Sequence, residues 1–188
     1  MRTIRGVALA LLAAVAALGP WAAGPVSAKS TGLDGTWSCT VPAGYVHDAI
    51  ASGCGGSGVT FRLLTPATGR WSCAVPAAWT YDALDASLGG KPYGPCQLGA
   101  SKGSATRLLA PVDGAWVCAP PKEGAWTYDR ISTTPVLSGC SAYGGNYHLR
   151  TPVTGLWACT VPAGFTHTST SASTTTDCRG YSYLLRRL

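Results

Sequence analysis

The sequence predicts an all-β protein of four disulfide-stapled repeats, each of about three short strands. It further predicts that the repeats close into a propeller-like or pseudo-fourfold ring by pairing of the last strand with the first. Three observations carry the expectation. A Gly-x-Trp-x-Cys kernel occurs four times, as Gly35–Cys39, Gly69–Cys73, Gly114–Cys118 and Gly155–Cys159. Each kernel is followed by one further cysteine before the next kernel begins: Cys54, Cys96, Cys140 and Cys178. After the first 28 residues no segment has helical periodicity, whereas Val, Thr, Tyr and Trp recur between dense Gly and Pro, as in all-β chains. Self-similarity at a period of a few tens of residues signals an architecture of stacked or radial units.

The kernel is the first strand of each unit. Its alternation places Trp37, Cys39 and Val41 on one face and Thr36, Ser38 and Thr40 on the other, so the tryptophans 37, 71, 116 and 157 are expected in the core. Proline at 42, 76, 120 and 162 ends it, because proline has no N–H to give a sheet ladder. A second strand follows with aromatic or imidazole rings two residues apart: Tyr45 and His47, Trp79 and Tyr81, Trp126 and Tyr128, Phe165 and His167. A third precedes the next kernel, as Phe61-Arg62-Leu63, Thr106-Arg107-Leu108, Tyr147-His148-Leu149 and Tyr183-Leu184-Leu185. Between it and that kernel stand Thr65-Pro-Ala-Thr-Gly69, Ala110-Pro-Val-Asp-Gly114 and Thr151-Pro-Val-Thr-Gly155, which read as type I turns at hairpin tips.

The repeats divide the chain at 29–68, 69–113, 114–154 and 155–188. Leu33-Asp34-Gly35 at one end matches the second half of such a turn, and Tyr183–Leu188 at the other matches the strand before it. This common cut is what predicts ring closure, which would also remove exposed strand edges. The repeat predicts the staples too: Cys39 with Cys54, Cys73 with Cys96, Cys118 with Cys140 and Cys159 with Cys178. A unit this small cannot hold itself together by burial alone, and one disulfide per unit makes up the deficit.

Residues 1–28 have the form of a secretory signal peptide. Arg2 and Arg5 precede the apolar run Gly6–Leu18, and Val26-Ser27-Ala28 satisfies the small-x-small cleavage rule. The run is shorter than the roughly 20 residues a membrane-spanning helix requires. A mature chain from Lys29 has 160 residues and twelve basic against eight acidic side chains, a formal charge of +4. An exported chain with an even number of cysteines carries disulfides, and the spacing here suits no zinc site. No basic cluster interleaves with aromatics in the manner of a nucleic-acid groove.

No catalytic constellation is visible, and no cofactor or metal is expected. His47 and His167 occupy a repeat position that holds Tyr81 and Tyr128 in the other units, which suits a strand position better than a general base. His148 is the remaining histidine. Gly55-Gly56-Ser57-Gly58 lacks the nucleophile-elbow spacing. The segments Tyr45-x-His47-Asp48, Trp79-x-Tyr81-Asp82 and Trp126-x-Tyr128-Asp129 set flat rings beside a hydrogen-bond acceptor, a combination that suits sugar rings. Those nine residues are the candidate ligand-binding set. The leading expectation is a secreted, non-enzymatic, lectin-like protein for glycans or an anionic cell-wall polymer. The alternatives are an envelope-associated structural protein without a ligand, and an inhibitor of extracellular hydrolases. The latter would act through loops after Cys73 or Cys118, such as Leu88–Pro95 or Ser132–Leu137. The Ser/Thr run Thr168–Thr176 belongs to the same variable part of unit four.

Overall fold

The computed structural model describes residues 32–55, 58–85, 96, 103–132, 137, 139–140, 145–172 and 178–188. The leader expected at 1–28 and the loop 88–95 lie outside the described residues, as do parts of 132–137 and 168–176. The described chain is all-β and forms four three-stranded antiparallel sheets, one per unit. Unit one holds β1 (Trp37–Ser38), β2 (Val46–Ser52) and β3 (Val59–Leu64). Unit two holds β4 (Trp71–Ser72), β5 (Thr80–Asp85) and β6 (Ala105–Leu109). Unit three holds β7 (Trp116–Val117), β8 (Thr127–Ser132) and β9 (Asn146–Arg150), and unit four β10 (Trp157–Ala158), β11 (Phe165–Ala172) and β12 (Tyr181–Arg187). The disulfides join the expected partners, Cys39–Cys54, Cys73–Cys96, Cys118–Cys140 and Cys159–Cys178, with Cα atoms 5.0–5.6 Å apart.

In every sheet the third strand is central, with the kernel on one edge and the second strand on the other. Two expectations change as a result. The turn between units is no hairpin tip, because β3 pairs with β1 and β2 while β4 pairs with β6. It is a turn closed by Arg70 N–H to the Ala67 carbonyl, with Gly69 at its second central position and φ of 84°. That is type II geometry, whose twist does not match a two-stranded ribbon, so the chain swings into the next sheet instead. The proposed pairing of the last strand with the first is not found either. β12 already has β10 on one edge and β11 on the other, and no backbone hydrogen bond among the described residues joins unit four to unit one.

The core is built on the leucines of the central strands. Leu63, Leu108, Leu149 and Leu185 are all buried, because only the middle strand is covered on both sides. In units two to four the most deeply buried kernel position includes the residue between Trp and Cys, which was expected on the open face, and the tryptophans are not core. Ser72, Val117 and Ala158, between Trp and Cys, are fully buried, whereas Trp37 is 49% and Trp157 39% exposed and Trp71 and Trp116 are half-buried. The reason is the joint between units. The amides of Cys73, Cys118 and Cys159 each donate, at 2.8 Å, to the carbonyl of His47, Tyr81 or Tyr128 in the preceding unit. Residue x of Trp-x-Cys is thereby pressed against the previous sheet, where a small side chain fits and an indole does not. The receiving carbonyls sit at β-bulges, between His47 and Ala49, Tyr81 and Ala83, and Tyr128 and Arg130. A bulge frees backbone groups from the strand's own ladder.

Candidate functional site

The nine residues singled out from the sequence fall into three groups. The acids come first. Asp48 occupies the bulge of β2 and takes a two-pronged ion pair from Arg62 of β3, Nε to Oδ1 at 2.7 Å and Nη2 to Oδ2 at 2.8 Å. Asp82 is held in the same way by Arg107, at 2.7 and 3.1 Å. Asp129 meets His148 Nδ1 at 2.6 Å and Arg150 Nη1 at 2.7 Å. Hydrogen bonding to these carboxylates raises the pKa of Arg62, Arg107 and Arg150 above the ordinary guanidinium value, against the opposing effect of partial burial. Trp37, Trp71 and Trp116 lie opposite Arg62, Arg107 and His148 across the strands, and opposite residues share a face. Each indole therefore stands beside the ion pair of its own unit, with the Trp116 and His148 rings 5.0 Å apart. The three aspartates are structural ties between second and third strands.

The second rings of the pairs, His47, Tyr81 and Tyr128, are half-buried. His47 packs edge-on against Phe61 at 4.9 Å and Tyr128 against Tyr147 at 4.9 Å, and the unit-four equivalent, His167, meets Tyr183 at 5.2 Å. Burial raises the Tyr128 phenol pKa, with a smaller contribution from Tyr147. Desolvation lowers the His47 pKa, and its buried Nδ1 has no hydrogen-bond partner. Unfolded His47 takes up its proton near the ordinary value of 6.5 and the folded chain only at lower pH, so below that value the unfolded state binds more protons. Stability is expected to fall as the pH drops below 6.5. His47→Tyr, the residue that units two and three carry, is expected to remove this loss, as checked by denaturant titrations at pH 7 and pH 5.

The first rings, Tyr45 and Trp79, come together. They line a groove of about 710 Å³ at the junction of units one and two, walled by Pro66, Pro76 and Ala77 and edged by Thr65 and Glu123. Its size lies within the roughly 300–1,000 Å³ of small-molecule sites. Tyr45 and Trp79 occupy matching places, each amide donating to the carbonyl of Pro42 or Pro76 three residues before it, at 3.1 and 2.9 Å. The Pro66 wall is fixed by Asp34, whose Oδ1 accepts from both the backbone N–H and the hydroxyl of Thr65 at 2.6 Å, while Oδ2 meets Arg70 at 2.8 Å. Those bonds, from Thr65 first and then Arg70, hold the Asp34 pKa below the usual aspartate value.

Glu123 arrives from unit three and supplies the sole charged side chain among the described residues of the groove lining. The amides of Lys122 and Glu123 both donate to the Ala77 carbonyl at 2.9 Å, which draws their loop across the unit boundary. The sequence contained a signal for this residue that the repeated acids obscured. From the kernel cysteine to the first ring there are six positions in units one, two and four, but eight in unit three, where Pro120-Pro121-Lys122-Glu123-Gly124 replaces the shorter turn. Trp126 is half-buried, as Tyr45 and Trp79 are, and a Cβ on Gly124 would come within 3.1 Å of its indole. It lines no part of this groove.

Among the described residues no group of three or more His, Cys, Asp or Glu is placed to hold a metal ion. No helix among them is long and apolar enough to cross a membrane. Neither protein-family models, nor curated proteins, nor solved structures match the chain.

Proposed function

We propose that the chain is a secreted, non-enzymatic binding protein whose ligand is a neutral glycan seated on Tyr45 and Trp79. The observation that carries the reading is their convergence in one groove with Thr65 and Glu123 at its edge. Aromatic faces cover the apolar C–H side of a pyranose, and a hydroxyl and a carboxylate meet its hydroxyls. Glu123 gives the groove negative charge, which narrows the earlier expectation: an anionic wall polymer would be repelled there, and a neutral oligosaccharide would not. Asp48, Asp82 and Asp129 drop out of the binding set, since their carboxylates are occupied by arginine and histidine. Four disulfides suit an extracellular or otherwise oxidising environment, and the leader read at residues 1–28 would deliver the chain there.

Trp79→Ala is expected to weaken glycan binding by about tenfold or more while the fold persists, and Tyr45→Ala to act in the same direction. Glu123→Gln is expected to weaken it less and to relax discrimination against anionic sugars. Calorimetric titration against a panel of neutral and acidic oligosaccharides checks all three. Absence of any binding stronger than millimolar across that panel sinks the proposal.

A further inference from the structure

The three joints between units are copies of one another, and the two ends of the array carry the two halves of a fourth. In each joint the receiving half is the second strand of one unit. It offers a bulge carbonyl (His47, Tyr81, Tyr128) and, just before it, a buried Val46, Thr80 or Thr127. The entering half is the next kernel, which offers its cysteine amide and a fully buried small residue, Ser72, Val117 or Ala158. Side chains add to this. Ser72 Oγ donates to the His47 carbonyl at 3.0 Å. Thr80 Oγ1 donates to the Ala119 carbonyl, and Thr127 Oγ1 to the Thr160 carbonyl at 3.0 Å, with its oxygen also 2.9 Å from Thr160 Oγ1.

Among the described residues, the entering half of unit one meets no receiving strand. Cys39 and Thr40 are exposed, Trp37 is 49% exposed, and the Cys39 amide has no backbone partner among the described residues. Its conformation is already that of a working joint: Ser38 Oγ accepts from the Thr40 amide at 3.3 Å, as Ser72 Oγ does from Ala74 at 3.2 Å. Among the described residues, no kernel amide docks on the receiving half of unit four. β11 has the same bulge, between His167 and Ser169, and His167 to Thr170 are exposed where Asp48 and Ala49 of β2 are buried. Thr166, which matches the fully buried Thr127, is only half-buried. The residue types fit as well. Ser38 repeats Ser72, Thr40 repeats Thr160, His167 repeats His47 and Thr166 repeats Thr127. Every contact of a Ser38/His167 and Thr40/Thr166 joint thus has a precedent in one of the joints already made.

We propose that these ends meet between molecules, so that the protein assembles head to tail, with the kernel of one copy docked on β11 of the next. Such an interface is heterologous: each open assembly keeps one free head and one free tail, and growth continues until a ring closes. Within the chain the connecting turns supply roughly millimolar effective concentration, which separate copies have to supply themselves. A joint this small is correspondingly weak, and assembly is expected only at high concentration or among chains held on one surface. The inference does not depend on what the Tyr45–Trp79 groove holds.

The test uses protein exported by an oxidising host and sedimentation velocity up to about 1 mM chain, the range a small interface demands. Ser38→Arg places a long cation where the internal joints bury a small residue, and Thr166→Arg does the same to the tail; both sites are accessible in a free chain. The wild-type weight-average mass is expected to rise past the dimer with concentration, while each variant stays monomeric with an unchanged melting temperature. A one-to-one mixture of the two variants has one working head and one working tail, and is expected to stop at the dimer. Ser38→Ala, which copies Ala158, is expected to keep wild-type assembly. The proposal is overturned if the wild type remains monomeric throughout, or if it assembles equally well with either arginine in place. A monomeric wild type whose melting temperature drops on Ser38→Arg would overturn it too, by showing that the joint closes within one chain.

Discussion

Replacing Cys118 and Cys140 together with alanine is expected to cost about 4 kcal/mol, against about 2–3 kcal/mol for the same change at Cys39 and Cys54. The loops closed are similar, 22 and 15 residues apart in sequence. Their difference in closure entropy amounts to only about 0.3 kcal/mol. What separates the pairs is burial. Cys118 and Cys140 are both buried, so their sulfurs leave a void as well as a freer unfolded chain, whereas Cys39 and Cys54 are exposed and leave only the latter. Denaturant midpoints of the two double variants and the wild type, converted at a common slope, check the order. Equal losses would show that the staples act through the unfolded state alone.

The second large effect sets the leucines against the tryptophans. Leu108→Ala empties a fully buried position in the central strand of unit two and is expected to cost about 2–5 kcal/mol. Trp37→Ala removes a larger side chain, yet one already 49% exposed, and is expected to cost less than about 1 kcal/mol. Thermal unfolding of both variants beside the wild type checks the pair. A Trp37 variant as damaged as the Leu108 variant would return the tryptophans to the core.

That reversal marks the boundary of what the sequence made legible. Repeat number, the three strands of each unit along the chain and the cysteine pairing could be read because they depend on counting: one kernel, one later cysteine, one strand pattern before that cysteine and one after it. Which face of the kernel is buried could not, because it is decided by contact with a neighbouring unit and not by alternation along a strand only two residues long. The ion pairs were legible in principle. The units with Asp48, Asp82 and Asp129 carry Arg62, Arg107 and His148 on the central strand, and the unit with Thr168 in place of the acid carries Leu184. The acid and its cation come and go together across the repeats, as partners do. Of the candidate site, Tyr45 and Trp79 were named from the sequence, while Glu123 was hidden in a two-residue insertion that changes one unit and breaks the repeat.

The sheet order has a consequence for aggregation. A chain dense in valine, threonine and tyrosine strands is a standing invitation to cross-β growth wherever an edge lies open. Here the longest pairings run on the protected central strands, and the kernel edge is two residues long in every unit. The opposite edge is broken by a bulge in all four second strands and, in units one to three, hydrogen-bonded to the following kernel. An intruding strand finds at most two consecutive ladder positions on the kernel side. The remaining bulged edge is that of β11, whose Thr166–Ala172 segment is rich in serine and threonine and stays hydrated. The array shields its strands from promiscuous pairing by shortness and interruption, and without a single edge lysine in the twelve strands of the described residues.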